Sequence, residues 1–232
     1  MSESWYVLRS DAATAAENMA VDEALLETVR ESNRAVLRFY SWSEAAATFG
    51  YSQRFEEVSK MTPLRPLVRR PTGGGLVSHD GDWTYSLIFP PTHRWARLRA
   101  VESYRGVHEW LRTAFGGTGV ETELESRVPG LKRGDCFARA ERHDLLWHGA
   151  KIAGAAQRRN RLGLLIQGSV RPPTQDGRTV RDRETWEAAM LFAGAGLFEA
   201  EWVTLHLGAR LIERVQSLRV HKYSCEAYNC SR

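Results

Sequence analysis

Two clusters in this chain combine residue types and spacing that chemistry uses. The first is Arg69-Arg70-Pro71-Thr72-Gly73-Gly74-Gly75-Leu76-Val77-Ser78-His79-Asp80. Three consecutive glycines free the backbone to approach a ligand and to point N–H groups at an anion or carbonyl. Arg69 and Arg70 bring charge immediately upstream. The loop is not a Walker loop, because no Lys-Ser/Thr pair follows the glycines, and it is not a GxGxxG dinucleotide fingerprint. The second cluster is Gly149-Ala150-Lys151-Ile152-Ala153-Gly154-Ala155-Ala156-Gln157-Arg158-Arg159, followed by Leu164-Leu165-Ile166-Gln167-Gly168-Ser169-Val170. A lysine in an apolar, glycine-flanked setting can be aimed inward, where its ammonium polarises an acyl group or steadies a thiolate.

Each feature also has a plainer reading. Three glycines alone make a flexible hairpin loop, Lys151 alone a solvated hairpin lysine, and Arg158, Arg159 and Arg161 a solvated face. Cys136, in Gly134-Asp135-Cys136-Phe137, taken alone is a small buried hydrophobe. Cys225 and Cys230 lie in a polar C-terminal tail and receive no role.

The elements that must position these residues are legible from periodicity. Thr14 with Glu17 three residues on reads as a capping box for a helix reaching residue 30, with Val21, Ala24, Leu25 and Val29 on its buried face. Strands are expected over 34–40, 67–70 and 83–89, the last with Trp83, Tyr85, Leu87 and Phe89 alternating with smaller or polar neighbours. Val101, Tyr104, Val107 or His108, Leu111 and Phe115 fall at helical spacing, stopped by Gly116-Gly117. Val120, Thr122 and Leu124 alternate with three glutamates, as in an edge strand with an acidic outer face. Residues 143–147, a Gly149 turn and 151–153 read as a hairpin, 162–170 as another strand, and 182–192 and 205–218 as helices. Loops are expected at 127–134 and 171–178. Hairpins mixed with scattered helices favour an α+β fold over a regular βαβ wind.

Composition sets the outer bounds. The 232 residues allow one to two domains and a sizeable core. Hydrophobic residues at 43% and charged residues at 26% argue against disorder, and a net charge of +4 does not announce a nucleic-acid binder. Three cysteines without a CxxC pair exclude a disulfide scaffold and a zinc ribbon. The N-terminus reads as neither a signal nor a transit peptide, and the longest charge-free apolar stretch, 188–198, is far short of a membrane span. The expectation is a reduced, cytoplasmic, soluble protein with no nucleic-acid and no membrane partner.

Together the two clusters resemble the biotin/lipoate protein ligase superfamily, in its lipoate ligase and octanoyltransferase branch. Residues 69–80 match that family's Arg-Arg-x-Ser/Thr-Gly-Gly-Gly-x-Val-x-His-Asp loop position by position, and residues 151–156 resemble its Lys-x-x-Gly-Ser/Ala-Ala strand. Asn18-Met19-Ala20-Val21-Asp22-Glu23-Ala24 is similar to its Asn-x-Ala-x-Asp/Glu-Glu segment, and Gly50-Tyr51-Ser52-Gln53 to its Gly-x-x-Gln turn. Trp83-Thr84-Tyr85-Ser86-Leu87 looks like the strand after the loop. The match runs over about residues 5–192 and implies mixed β-sheets with flanking helices. One catalytic domain over 1–232, without a C-terminal accessory domain, is the expectation.

The resemblance further implies a cleft for a lipoyl or octanoyl chain between the loop and the lysine strand. Arg70, Thr72, Gly73, Gly74, Gly75, His79, Gly154 and Ala155 occupy its substrate-binding positions, and Lys151 a catalytic one. In the family's cysteine-dependent octanoyltransferases, the nucleophile precedes the lysine strand in a short Cys-Phe/Tyr segment, where Cys136-Phe137 stands. ATP-dependent ligases typically have an Asn-Asp pair hereabouts, which is absent here.

The implied activity is therefore octanoyl transfer through Cys136, with no cofactor or metal. The donor is an octanoyl acyl carrier protein or octanoylated H protein, and the acceptor a lysine of a lipoyl domain or glycine-cleavage H protein. The alternatives are a lipoate–protein ligase using ATP and Mg, and a non-catalytic binder of acyl carriers or lipoyl domains. A biotin ligase is disfavoured because its Gly-Arg-Gly-Arg-x-Gly-type loop is missing.

Overall fold

The computed structural model describes residues 2–126 and 140–231. The chain begins with β1 (Glu3–Ala13), α1 (Ala15–Ser32), β2 (Val36–Trp42) and β3 (Ala46–Phe49). A short α2 (Phe55–Val58) leads to β4 (Leu67–Arg69), the glycine-rich loop, β5 (Val77–His79) and β6 (Trp83–Phe89). Then come α3 (Arg94–Arg97), α4 (Ala100–Gly117) and β7 (Glu123–Leu124). From residue 140 onward the elements are β8 (Leu145–Trp147), β9 (Ala150–Asn160), β10 (Gly163–Val170), β11 (Thr174–Gln175) and β12 (Arg178–Thr179). They are followed by α5 (Arg183–Phe198), β13 (Ala200–Thr204), α6 (Ala209–Leu218), a π-helical turn (Arg219–Tyr223) and α7 (Glu226–Asn229).

The large sheet has the order β13-β1-β2-β6-β10-β9-β8-β7. β13, β1 and β2 pair parallel, and the remaining pairs are antiparallel. A second sheet, β4-β3-β5, carries the glycine-rich loop between its two outer strands. The fold is thus mixed sheets with flanking helices.

β6 shows how the sequence sorts the two faces of the sheet. Trp83, Tyr85, Leu87 and Phe89 enter the main core with Trp110, Leu111 and Phe115 of α4 and Trp186 and Met190 of α5. Ile88 points the other way, into a second core with Ala24, Leu25 and Val29 of α1 and Val215 of α6. Period-two alternation on the strand and period-3.6 spacing on the helices therefore meet in two layers around one sheet.

Helix α1 starts as expected, with Thr14 accepting a hydrogen bond from the Glu17 amide at 3.3 Å. It is buried on more than one face, because α6 and the π-helical turn cover the side turned away from the sheet. The expected polar C-terminal tail is instead folded. Arg69 donates to the carbonyls of Tyr228 (3.3 Å) and Asn229 (2.9 Å), and its own amide donates to Asn229 Oδ1 at 2.8 Å. Lys222 and Tyr223 clasp Glu23 of α1. The expected loop at 171–178 contains the small β11–β12 hairpin, while the one at 127–134 lies outside the described residues.

β1 and β13 have no counterpart in the sequence-derived elements. Exposed polar positions interrupt the alternation of both, and β13 is an edge strand. Among the described residues no helix is long and apolar enough to cross a membrane.

Candidate active site

The glycine-rich loop is shaped by Arg70, which is buried. Its Nε and Nη2 donate to the Gly73 carbonyl (3.0 and 2.5 Å), Nη2 also to Gly75 (2.7 Å), and Nη1 to the Thr48 carbonyl (3.2 Å). A planar guanidinium with several donors in fixed directions suits this task better than an ammonium. Gly74, between the two captured carbonyls, has φ 85°, a conformation a side chain resists. The Gly50-x-x-Gln turn packs directly on it. A Cβ at Gly50 would overlap the Gly74 carbonyl oxygen, and the Tyr51 amide donates to the Thr72 carbonyl at 2.8 Å.

Below the loop lies a buried polar network that begins on α1. Asp22 accepts from Arg38 Nη1 and Ser86 Oγ on one oxygen (both 2.7 Å), and from Gln167 Nε2 (2.7 Å) and Tyr40 (3.4 Å) on the other. Four donors satisfy the carboxylate, which is what burial of a charge demands. Burial, with Asp22 alongside, pushes the Tyr40 phenol well above its usual range and so keeps it a donor. Gln167 in turn accepts from Thr72 at 2.7 Å, so the loop is tied through the sheet to α1. The Asn-Met-Ala-Val-Asp segment thus bears on the site through Asn18 and Asp22, with Asn18 accepting from Arg38 Nη2 at 2.7 Å.

One wall is made by His79. Its Nδ1 lies 2.9 Å from Asp82 Oδ2, its Nε2 lies 2.8 Å from Thr48 Oγ1, and its ring stacks on Trp42 with centroids 3.7 Å apart. Ser169 donates to the same Asp82 oxygen at 2.5 Å.

The opposite wall is β9. Its pairing with β8 shifts register where Leu145 faces Ala153 and Leu146 faces Lys151, leaving Ile152 as an extra residue. Without this bulge Lys151 would share parity with Ala153, a core residue; bulges re-aim side chains in this way. The Lys151 ammonium lies 2.7 Å from Asp144 Oδ2, with side chains 6% and 0% exposed. The reading of Lys151 as a solvated hairpin lysine therefore fails. Asp144 Oδ1 accepts from the Tyr104 hydroxyl, and Oδ2 also accepts from the Glu141 amide at 2.5 Å. Burial and the Asp144 charge push the Tyr104 phenol well above its usual range, so it stays a donor.

These walls enclose a mostly apolar cleft lined by Arg70, Gly74, His79, Lys151, Gly154 and Ala155 among the expected residues. Thr72 faces Gln167 instead, and the Gly73 and Gly75 carbonyls face Arg70. Cys136 lies outside the described residues. Met19, Tyr40, Thr48, Thr84 and Gln167 also line the cleft. Sequence reading gave them no site role, because they converge only once three sheet strands, β3 and α1 are assembled. Asp144 was missed as a partner of Lys151, and Tyr104 as a partner of Asp144. The one available signal was an aspartate, Asp144, in the first strand of the expected hairpin. Among the described residues no group of three or more His, Cys, Asp or Glu is arranged to hold a metal.

The fold is that of the lipoate-protein ligases. A lipoate-protein ligase A solved with ATP superposes with a TM-score of 0.80 at 18% identity, covering 98% of each chain. A bi-partite lipoate protein ligase from Thermoplasma acidophilum, studied with its E2 lipoyl domain, gives 0.77 at 19%, covering 98% of this chain and 96% of that one.

The family profile described as Lipoyl protein ligase A/B catalytic domain matches residues 14–171, and the chain belongs to that family. Among its relatives, the octanoyltransferase LipM of Staphylococcus aureus is 33% identical over 183 residues, 73% of this chain and 66% of the relative. The LipM of Bacillus subtilis is 35% identical over 183 residues, 72% of this chain and 65% of the relative. The chain thus spans just under two thirds of the length of these relatives.

Proposed function

We propose that this protein is a cysteine-dependent octanoyltransferase of protein lipoylation. The observation that carries the reading is the Lys151 ammonium, buried beside Asp144 and lining an apolar cleft under the glycine-rich loop. Relatives at 33–36% identity bearing the name octanoyltransferase support it.

In the proposed cycle the Cys136 sulfur attacks the carbonyl carbon of an octanoyl thioester. A C–S bond forms to the enzyme, the carrier's C–S bond breaks, and the proton from Cys136 ends on the carrier thiol. The neutral amine of an acceptor lysine then attacks the acyl-enzyme. A C–N bond forms, the Cys136 C–S bond breaks, and the amine's proton returns to sulfur. An ammonium near the sulfur favours the thiolate form. The donor is an octanoyl acyl carrier protein or octanoylated H protein, and the acceptor a lipoyl domain or H protein. Both steps start from a thioester, so neither needs ATP or Mg.

The test is a mass measurement. Protein mixed with octanoyl acyl carrier protein and no nucleotide gains one octanoyl group, labile to hydroxylamine and mapping to Cys136, and a lipoyl domain discharges it. Lys151→Ala loses most transfer, and Lys151→Arg restores it poorly, because a guanidinium does not replace a compact ammonium in a tight site. Activity that requires free lipoate plus ATP and survives Cys136→Ser overturns the reading in favour of a ligase.

A further inference from the structure

We propose that Asp144 and Gly154 are positioning residues that together fix the Lys151 ammonium in the cleft. The inference rests on the transferase reading for its kinetic consequence but on geometry alone for the latch itself.

Three observations converge on the latch. The Asp144 carboxylate is fully buried, and its acceptor sites are directed by the Tyr104 hydroxyl on one oxygen and by the Glu141 amide and Lys151 on the other. Backbone bonds fix the turn that carries it. The Asp144 amide donates to the Glu141 carbonyl (2.9 Å), and the Glu125 amide donates to the Asp144 carbonyl (2.9 Å), tying the turn to the end of β7. The lysine chain then runs over Gly154, where a Cβ would stand 2.9 Å from Lys151 Cε, 3.0 Å from Nζ and 3.4 Å from Asp144 Oδ1. Gly154 therefore leaves the space in which the ammonium meets the carboxylate. Its φ lies outside the left-handed region, so backbone conformation does not explain the glycine.

Charge pairing alone does not account for this arrangement. A lysine has four flexible bonds and can place its charge in many positions. The absent Cβ at Gly154 keeps one of those positions open, and the Asp144 carboxylate, held by the Tyr104 hydroxyl and the Glu141 amide, meets the ammonium there. Displacing a reacting group by about 1 Å can cost on the order of 100-fold in rate.

Two variants test the latch from opposite sides. Asp144→Asn removes the charge, while Gly154→Ala leaves every charge in place and pushes the lysine tip aside. In both, kcat for octanoyl transfer falls at least about tenfold, while KM for the donor stays within about twofold. Lys151→Ala combined with either variant is no worse than Lys151→Ala alone, because the variants act through the lysine. Peptide-resolved labelling of Lys151 by an amine-acylating reagent rises in both, and this readout needs no enzymatic activity.

Wild-type kcat in either folded variant overturns the positioning role. A raised KM with unchanged kcat reassigns the residue to substrate binding and overturns it equally. Unchanged labelling overturns the latch. If Asp144→Asn fails to fold, Gly154→Ala decides alone. A wild-type protein inactive with octanoyl carrier removes the transferase reading, and the labelling result still decides the latch.

Discussion

On one side of the cleft the glycine-rich loop is held by backbone carbonyls gathered onto the fork of Arg70. On the other side the ammonium of Lys151 meets the buried Asp144 carboxylate, which also accepts from Tyr104. The loop arm directs its cation onto its own carbonyls, which defines its shape and leaves Gly74 lining the cleft. The lysine arm presents its cation to the cleft. The same charge type is thus turned onto backbone carbonyls in one arm and toward the cleft, where the proposed reaction takes place, in the other. The difference follows from side-chain geometry, since a guanidinium with five donors organises carbonyls and an ammonium acts as a compact charge.

The largest expected effect breaks the loop arm. Arg70→Ala leaves the carbonyls of Thr48, Gly73 and Gly75 without this donor, at about 1–3 kcal/mol for each one left buried and unsatisfied. Urea denaturation should show at least about 3 kcal/mol lost, and binding of a non-hydrolysable octanoyl thioether should disappear. Arg70→Lys should recover part of the stability and little of the binding. Full binding in either variant would mean that the loop is organised by something other than this guanidinium.

The lysine arm should yield first to acid. His108 packs on Tyr104 with ring centroids 4.3 Å apart, and burial lowers its pKa to about 4. The unfolded chain takes up that proton near pH 6.5, so between pH 6.5 and 4 unfolding binds a proton that the folded state refuses. This contribution is whole above pH 6.5 and is lost as pH falls through the window, reaching about 3 kcal/mol at its lower end. Melting temperature measured from pH 7.5 down to pH 4.5 should therefore fall less steeply in His108→Gln. Parallel curves for the two proteins would remove His108 as the cause.

How far the two arms were legible in the sequence differs for the same reason. The loop arm was readable because it is contiguous: Arg70, the glycines and His79 sit in one segment whose order carries the resemblance. Its hidden part is Thr48, Asp22 and Gln167, which the fold brings from three separate elements. Lys151 was readable as a candidate, but its setting was not. A bulge at Ile152 and a glycine chosen for absent volume leave no periodic signal, and Tyr104 is simply one more apolar position on α4. Of the fold, helices with clean caps and doubly buried strands such as β6 were evident. The edge strand β13 and the segment that follows α6 were not, because their order comes from tertiary partners, among them Val7 for Leu205 and Arg69 for Asn229.

A smaller effect sharpens the view of the loop as a backbone-shaped device. A Cβ at Gly50 collides with the Gly74 carbonyl, which is backbone and cannot swing away. Gly50→Ala should cost about 1–3 kcal/mol by overpacking and weaken octanoyl-thioether binding, although residue 50 itself is outside the cleft lining. Unchanged binding with reduced stability would show that the turn supports the fold and not the loop's shape.

The smallest effect separates the glycines of the loop from one another. Gly74 has φ 85°, so Gly74→Ala carries roughly 1–2 kcal/mol of backbone strain. A Cβ at Gly73 would meet no atom within 4 Å, and its φ is not left-handed, so Gly73→Ala should change stability by less than about 0.5 kcal/mol. The informative measurement is then binding at equal stability. If Gly73→Ala binds the octanoyl thioether as wild type does, the loop needs only the Gly74 turn and the Gly73 carbonyl that Arg70 captures. If it folds normally and binds nothing, the open space at Gly73 is itself where the ligand approaches the backbone. The loop arm would then meet the ligand with its own backbone, as the proposed function has Lys151 do with its ammonium, and the purely structural role would belong to Arg70 alone.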